Sequence, residues 1–296
     1  MNSWSTLSQP VPHSLGLDRP ARRLPPMACD CHMHIFDPRF KPSPHWTRQP
    51  PLAPVAAYRR LQERLGTTRA IVVTPSTYGT DNRCTLDALA QLGPDARGVA
   101  VVDPYVSEAE LDELASRGIR GLRLNFVTPQ SWGVTTPDLL ITLASKASRL
   151  GWHIQLLLHP DQLVELAPVL EKLPAPLVVD HLGRIDPTEG SSAQAFRLLM
   201  PLLEAGSTWI KLSGAYMRSS VGGPSYADTV PLGQALVRAA PHRILWGSDW
   251  PHTTEAAGTV NDAALVDLLQ AWCGDDASLM DRILVDNPAK LYGFAT

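Results

Sequence analysis

Between residues 29 and 38 the chain reads CDCHMHIFDP, in which four of ten residues are Cys or His. Sulfur and imidazole are the donors most used to hold transition metals. His32 and His34 are two apart, so on an extended strand both rings project from one face and can reach one metal ion or one substrate oxygen. The same alternation puts Cys29 and Cys31 on the opposite face, where they are expected to pack against a helical layer. A bare H-x-H is weak evidence, since an ordinary strand contains one by chance. It gains weight from two distant residues that also end apolar runs, His181 in VVDHLGR and Asp249 in LWGSDWPH. Asp249 facing the histidines is a carboxylate able to take a proton from water. Burial would raise its pKa unless a metal or a protonated histidine lowers it. The plainer reading of Asp249 is a turn cap before Pro251, and that of His181 is a core histidine satisfied by backbone. Asp180 is expected to point away from His181 as a structural partner. His159, in LLLHPDQL, either lines a pocket or caps the helix that follows.

These residues need a scaffold that gathers strand ends. From residue 28 onward, eight short apolar runs recur: CDCHMHIF, RAIVVTP, RGVAVVD, RGLRLNF, WHIQLLLH, PLVVDH, TWIKLSG and RILWGSD. Helical segments lie between most of them. SEAELDELASRG opens on Ser107 as N-cap and closes on a glycine, and TPDLLITLASKASRLG has Thr136 as N-cap, Pro137 at the first helical position and Gly151 past the end. Strand-then-helix alternation predicts a parallel sheet, and eight units predict an α/β fold of the (β/α)₈ TIM-barrel type. In such barrels the chemistry sits at the C-terminal strand ends, where the His and Asp residues above fall. Residues 1–27 are expected to form an irregular Pro-rich N-terminal arm, and 28–296 a single catalytic barrel. A second proline cluster, at 38–54, predicts a long loop directly after the first strand.

Composition narrows the function class. The 296 residues are 44% hydrophobic and 19% charged, enough for a substantial core. A net charge of −3 without charge runs points to a small-molecule partner rather than nucleic acid or an anionic membrane. No apolar run is long enough for a membrane span, and the first 26 residues lack the apolar core of a signal peptide. The four cysteines follow no framework spacing, so reduced thiols in a cytoplasm are expected. A monomer and a homodimer are both compatible with the sequence.

DCHMHIFDP, VVDHLGR, WIKLSGAY, ILWGSDWPH and the closing VDNPAKLYGF together resemble the amidohydrolase superfamily. The similarity runs from about residue 28 to 294 and is strongest to the amidohydrolase-2 branch of pyrone-dicarboxylate and related lactone hydrolases. The resemblance implies a carboxylic-ester hydrolase that opens a small anionic lactone of aromatic-compound catabolism, of the pyrone type or a carboxy- or sulfo-substituted muconolactone. It makes Asp249 the general base, with His32, His34 and His181 polarising the lactone carbonyl or binding a metal. Arg123 and Arg184 match arginines that hold substrate carboxylates, and Ser76 matches a pocket serine. Two departures stand out. NFVTP after strand four carries no basic residue, and the strand-five position expected to hold tyrosine is leucine in QLLLH. Arg83 and Arg218 are then candidates for an anion contact by another route. Two arrangements fit these residues: one divalent ion, Zn²⁺ by preference, on His32, His34, His181 and Asp249, or a metal-free site in which the histidines act as donors. A decarboxylase, a lactone isomerase and a sugar-acid lactonase are the alternatives within enzymes. A non-catalytic barrel is disfavoured by the assembly of acid, base and anion-binding residues at one rim.

Overall fold

A computed structural model describes residues 9–127 and 135–295. Eight parallel strands follow chain order: β1 (Cys29–Met33), β2 (Arg69–Val73), β3 (Ala96–Ala100), β4 (Ile119–Asn125), β5 (His153–Leu157), β6 (Leu177–Val179), β7 (Thr208–Leu212) and β8 (Ile244–Trp246). Each of the first seven is joined to the next through a helix: α1 (Val55–Leu65), α2 (Arg83–Leu92), α3 (Glu108–Ser116), α4 (Pro137–Arg149), α5 (Pro160–Leu170), α6 (Gln194–Glu204) and α7 (Val230–Ala239), with α8 (Asp262–Trp272) after β8. This is the (β/α)₈ barrel that the alternation predicts. The capping signals act locally as read. Ser107 and Glu110 form a reciprocal capping box on α3, and Thr136 Oγ1 accepts from the Leu139 N–H at the start of α4.

The seam between β8 and β1 closes the barrel with few bonds, and all of them lie beside the candidate site. Asp249 N–H donates to the His32 carbonyl at 2.7 Å, and His34 N–H donates to the Trp250 carbonyl at 2.8 Å. Asp30 adds a staple: its carboxylate accepts from Ser248 N–H at 2.9 Å, Ser248 Oγ at 2.6 Å and Tyr58 Oη at 3.1 Å. Gly247 makes the approach possible, since a β-carbon there would lie 2.6 Å from His32 Cβ and 2.7 Å from His32 N.

β1 is not a regular strand. Asp30 pairs with Ala70 but Met33 pairs with Val72, so one extra residue is accommodated between them. This corrects the expectation for the cysteines. Cys29 and Cys31 pack with Ile71, Val73, Val99, Val178, Trp209 and Leu245, the inward residues of the strands, while the helix-facing core is a separate cluster. The bulge breaks the two-residue alternation, so Cys31 and His32 both serve the barrel interior. Tyr292 and Phe294 close the floor beneath them, with Arg69 and Arg97 stacked on the Phe294 ring at 4.8 and 4.7 Å.

Residues 9–27 run over the outside of the barrel and are tied to it. The buried Arg64 guanidinium donates to the Asp18 and Leu15 carbonyls, Ser14 Oγ and Asn261 Oδ1, and Trp250 Nε1 donates to the Pro12 carbonyl. Gly247→Ala is expected to destabilise the protein by about 1–3 kcal/mol, the ordinary cost of forcing an atom into filled space. Urea unfolding measures this, and an unchanged midpoint would contradict the tight β8–β1 approach.

Candidate active site

Three strand ends deliver the site. His32 and His34 come from the end of β1, His181 follows β6, and Asp249 follows β8. All four are buried. His181 and Asp249 have left-handed backbone, with φ of 54° and 60°, which turns both side chains back over the barrel mouth. Asp249 Oδ1 then lies 3.5 Å from His32 Nε2, 3.6 Å from His34 Nε2 and 4.0 Å from His181 Nε2. Burial pushes the Asp249 carboxyl up, but the surrounding imidazoles of His181, His34 and His32 outweigh it and hold the group below the ordinary carboxylate range. Burial drives His32 and His181 the other way, below the ordinary imidazole value.

The second nitrogen of each ring is held from behind. His34 Nδ1–H donates to the Val73 carbonyl at 2.8 Å, which turns Nε2 towards Asp249. His32 Nδ1 lies 3.2 Å from Asp180 Oδ1 and 3.2 Å from Lys211 Nζ. Its buried Nε2 faces Asp249 and has no hydrogen-bond partner among the described residues. His181 Nδ1 pairs with Ser213 Oγ at 2.9 Å. Gly214 leaves room for that ring, because a β-carbon there would come within 2.9 Å of it.

Three imidazole nitrogens around one carboxylate oxygen call for positive charge between them, from a bound cation or from protonated rings. The spacings suit a divalent ion, since ligands at about 2.0–2.1 Å in a tetrahedron stand about 3.3 Å apart. His32, His34 and Asp249 form one possible ligand set, and His32, Asp180 and His181 a second that shares His32. The donor set therefore fits one divalent cation.

Asp180 departs from the expectation that it points away. It is wholly buried at the end of β6, where its still extended backbone points it inward like Val178, and the left-handed backbone at His181 turns that residue inward as well. Its carboxylate accepts from Arg123 Nε at 3.3 Å and Gln155 Nε2 at 3.1 Å, with Lys211 Nζ at 3.6 Å. Burial raises Asp180, but His32, Lys211 and Arg123 more than offset it, so the group stays ionised. Lys211 also donates to Gln155 Oε1 at 2.7 Å. The mid-strand Lys in TWIKL and Gln in WHIQL were visible in the sequence as polar residues inside apolar runs.

The cavity above has a volume of about 450 Å³, within the ordinary range for a small-molecule site. Arg123, Arg184, Ser76 and Leu157 line it together with His34, His181 and Asp249. Ser76 Oγ accepts from Asn125 Nδ2 at 3.3 Å. Arg123 gives its Nε to Asp180, whereas the half-buried Arg184 has no carboxylate partner among the described residues, and its Nε is buried without an acceptor. Burial, then Arg218, lowers the pKa of Arg184.

Three candidates lie elsewhere. Arg83 is exposed on α2 and paired with Asp81 at 2.6 Å, two residues away in the chain, so it is not a pocket arginine. Arg218 is exposed and paired with Asp186 at 2.9 Å, near Arg184 but outside the cavity lining. His159 takes the capping alternative: it is the N-cap residue of α5, and its N–H donates to Gln162 Oε1 at 2.8 Å. The basic gap at NFVTP falls partly outside the described residues.

Tyr216 is a site residue that the sequence did not single out, although it lies in WIKLSGAY. Its hydroxyl donates to Asp249 Oδ2 at 2.6 Å and is 3.2 Å from His252 Nδ1, whose Nε2 in turn meets Asp262 at 3.1 Å. A hydrogen bond to a charged group contributes about 1.5–3 kcal/mol. Tyr216→Phe is therefore expected to cut kcat about 10- to 100-fold with a much smaller change in KM, read from steady-state kinetics. A wild-type kcat would show that Asp249 does not depend on this contact.

The comparison with known proteins agrees with this geometry along most of the chain. The Amidohydrolase family model matches residues 29–294. A 2-pyrone-4,6-dicarboxylate hydrolase of Comamonas testosteroni is 37% identical over 285 residues, covering 93% of this chain and 92% of the relative. A 4-sulfomuconolactone hydrolase of Rhizobium radiobacter is 35% identical, covering 91% of each chain. A crystal structure of a probable 2-pyrone-4,6-dicarboxylic acid hydrolase from Acinetobacter baumannii, with citric acid bound, superposes with a TM-score of 0.78 at 28% identity, covering 90% of this chain and 100% of that one. With the barrel, the paired strand-one histidines and the strand-eight aspartate all in place, the chain belongs to the amidohydrolase family.

Proposed function

We propose that the protein hydrolyses a small anionic lactone of the pyrone or substituted-muconolactone type, with Asp249 as general base. The observation that carries this is the ionised Asp249 carboxylate set among three imidazoles at the floor of a cavity that also presents Arg184. Arg184 holds an acidic substituent of the substrate and sets the ring over the histidines. Asp249 takes a proton from water as the water oxygen bonds to the lactone carbonyl carbon. The ring C–O bond then breaks and the proton is returned to the departing ring oxygen. The new carboxylic acid ionises at neutral pH, so each turnover releases one proton. Tyr216 keeps the second Asp249 oxygen occupied, which leaves Oδ1 on the side of the imidazoles.

The buried His32 Nε2, unpartnered among the described residues, favours a bound cation over a metal-free site, and Zn²⁺ suits the donor set. His32, His34, His181 and Asp249 would hold it, and when bound it would supply Lewis-acid polarisation at the reacting carbonyl. The metal-free alternative differs in one respect, that protonated imidazoles would provide the positive charge.

Two measurements on one preparation separate these readings. With a panel of anionic lactones and a pH indicator, Asp249→Asn is expected to lower proton release about 10²–10⁴-fold, the usual contribution of a positioned base. Proton release that survives this change contradicts the general-base role. Exhaustive chelation is expected to remove about one equivalent of metal and most of the activity. Full activity with no metal found would overturn the zinc reading and leave the histidines as donors.

A further inference from the structure

Two cations line the cavity without a carboxylate partner among the described residues, and only Arg184 has been given a role. The other is Arg48, carried by the Pro-rich loop after β1. This loop is held at several points. Phe36 and Ala53 exchange backbone hydrogen bonds at 3.0 Å across its neck, and Ser43 N–H donates to the Thr77 carbonyl at 2.8 Å. On the far side, His13 Nε2 meets the Leu52 carbonyl at 2.9 Å, so the N-terminal segment braces the same loop. Within it, the Arg48 guanidinium stacks on the Trp46 ring at 4.8 Å. Trp46 lines the cavity as well, and its indole N–H is shielded from solvent with no acceptor among the described residues.

A stacked arginine loses less freedom on binding than a loose one. Asp249 and Glu255 are the acidic residues of the lining, and neither pairs with Arg48. We infer that Arg48, held by stacking on the Trp46 ring, forms a second anion-binding position at the cavity mouth, so that the site selects ring substrates bearing two anionic groups, one on Arg184 and one on Arg48. This deepens the lactone-hydrolase reading and rests on it for the identity of the ring. Arg48 is a specificity residue here and touches no reacting atom.

The test uses a rigid planar dianion that cannot be hydrolysed, isophthalate, and its monoanionic counterpart benzoate, with calorimetry on the full-length protein. Arg48→Gln is expected to weaken isophthalate binding about tenfold and benzoate binding less than twofold, with Arg48→Lys intermediate. Trp46→Ala removes the face on which Arg48 stacks, and is expected to weaken isophthalate alone by a smaller factor. An unchanged isophthalate affinity in Arg48→Gln, an equal loss for both ligands, or no isophthalate binding by the native protein overturns the inference. Because binding is read without turnover, failure of the lactonase reading is seen separately, as no proton release from any lactone by a protein that still distinguishes the two probes.

Discussion

The hydrogen bond from Asp249 N–H to the His32 carbonyl, 2.7 Å long, is the constraint on which the rest of the site depends. It belongs to the seam where the last strand meets the first, so closing the barrel and assembling the site are one event. The base arrives from one side of that seam and two imidazoles from the other, joined through the main chain rather than through mobile side chains. Asp30 and Ser248 reinforce the seam from the helix-facing side, and Gly247 keeps it free of a side chain at its tightest point. A site built across a closure line is held by the cooperativity of the whole barrel, which suits a reaction that needs fixed geometry.

Beneath the site the barrel carries ionised groups where many barrels carry only aliphatic layers. Lys211, Asp180 and Arg123 bury charge, and their arrangement explains why this is tolerated. Asp180 meets both cations and the His32 ring, and Gln155 links Asp180 to Lys211. Removing any one partner would leave an uncompensated buried charge, which costs about 3–5 kcal/mol. The network holds the His32 ring in position and keeps its Nε2 directed at Asp249. Stability and catalytic orientation therefore draw on the same contacts.

Much of this was legible in the sequence. Eight apolar runs separated by capped helical segments specify the barrel, and the strand-end rule then gathers His32, His34, His181 and Asp249. What escaped did so for physical reasons. The bulge in β1 has no composition signal, so strict alternation sent Cys29 and Cys31 outward when they face inward. Asp180 was misread because left-handed backbone at His181 ends the alternation there. Arg83 and Arg218 are cations whose nearby acids, Asp81 and Asp186, claim them before a substrate could. Lys211 and Gln155 gave a readable signal, a polar residue at an inward position of an apolar strand. Tyr216 and Arg48 sit in the segments after β7 and β1, where only the fold brings the one to Asp249 and the other to the cavity.

Delivery of water to a lactone carbonyl at Asp249 is what sets hydrolysis apart from the other reactions open to such a centre. An amidohydrolase barrel with the same histidines and aspartate could instead isomerise a lactone ring or expel carbon dioxide, and neither reaction incorporates solvent oxygen into a new carboxylate. The most direct measurement is a single turnover in H₂¹⁸O with mass analysis of the product. Incorporation of one ¹⁸O into the new carboxylate is the predicted result, whereas an unlabelled product would contradict hydrolysis at this centre.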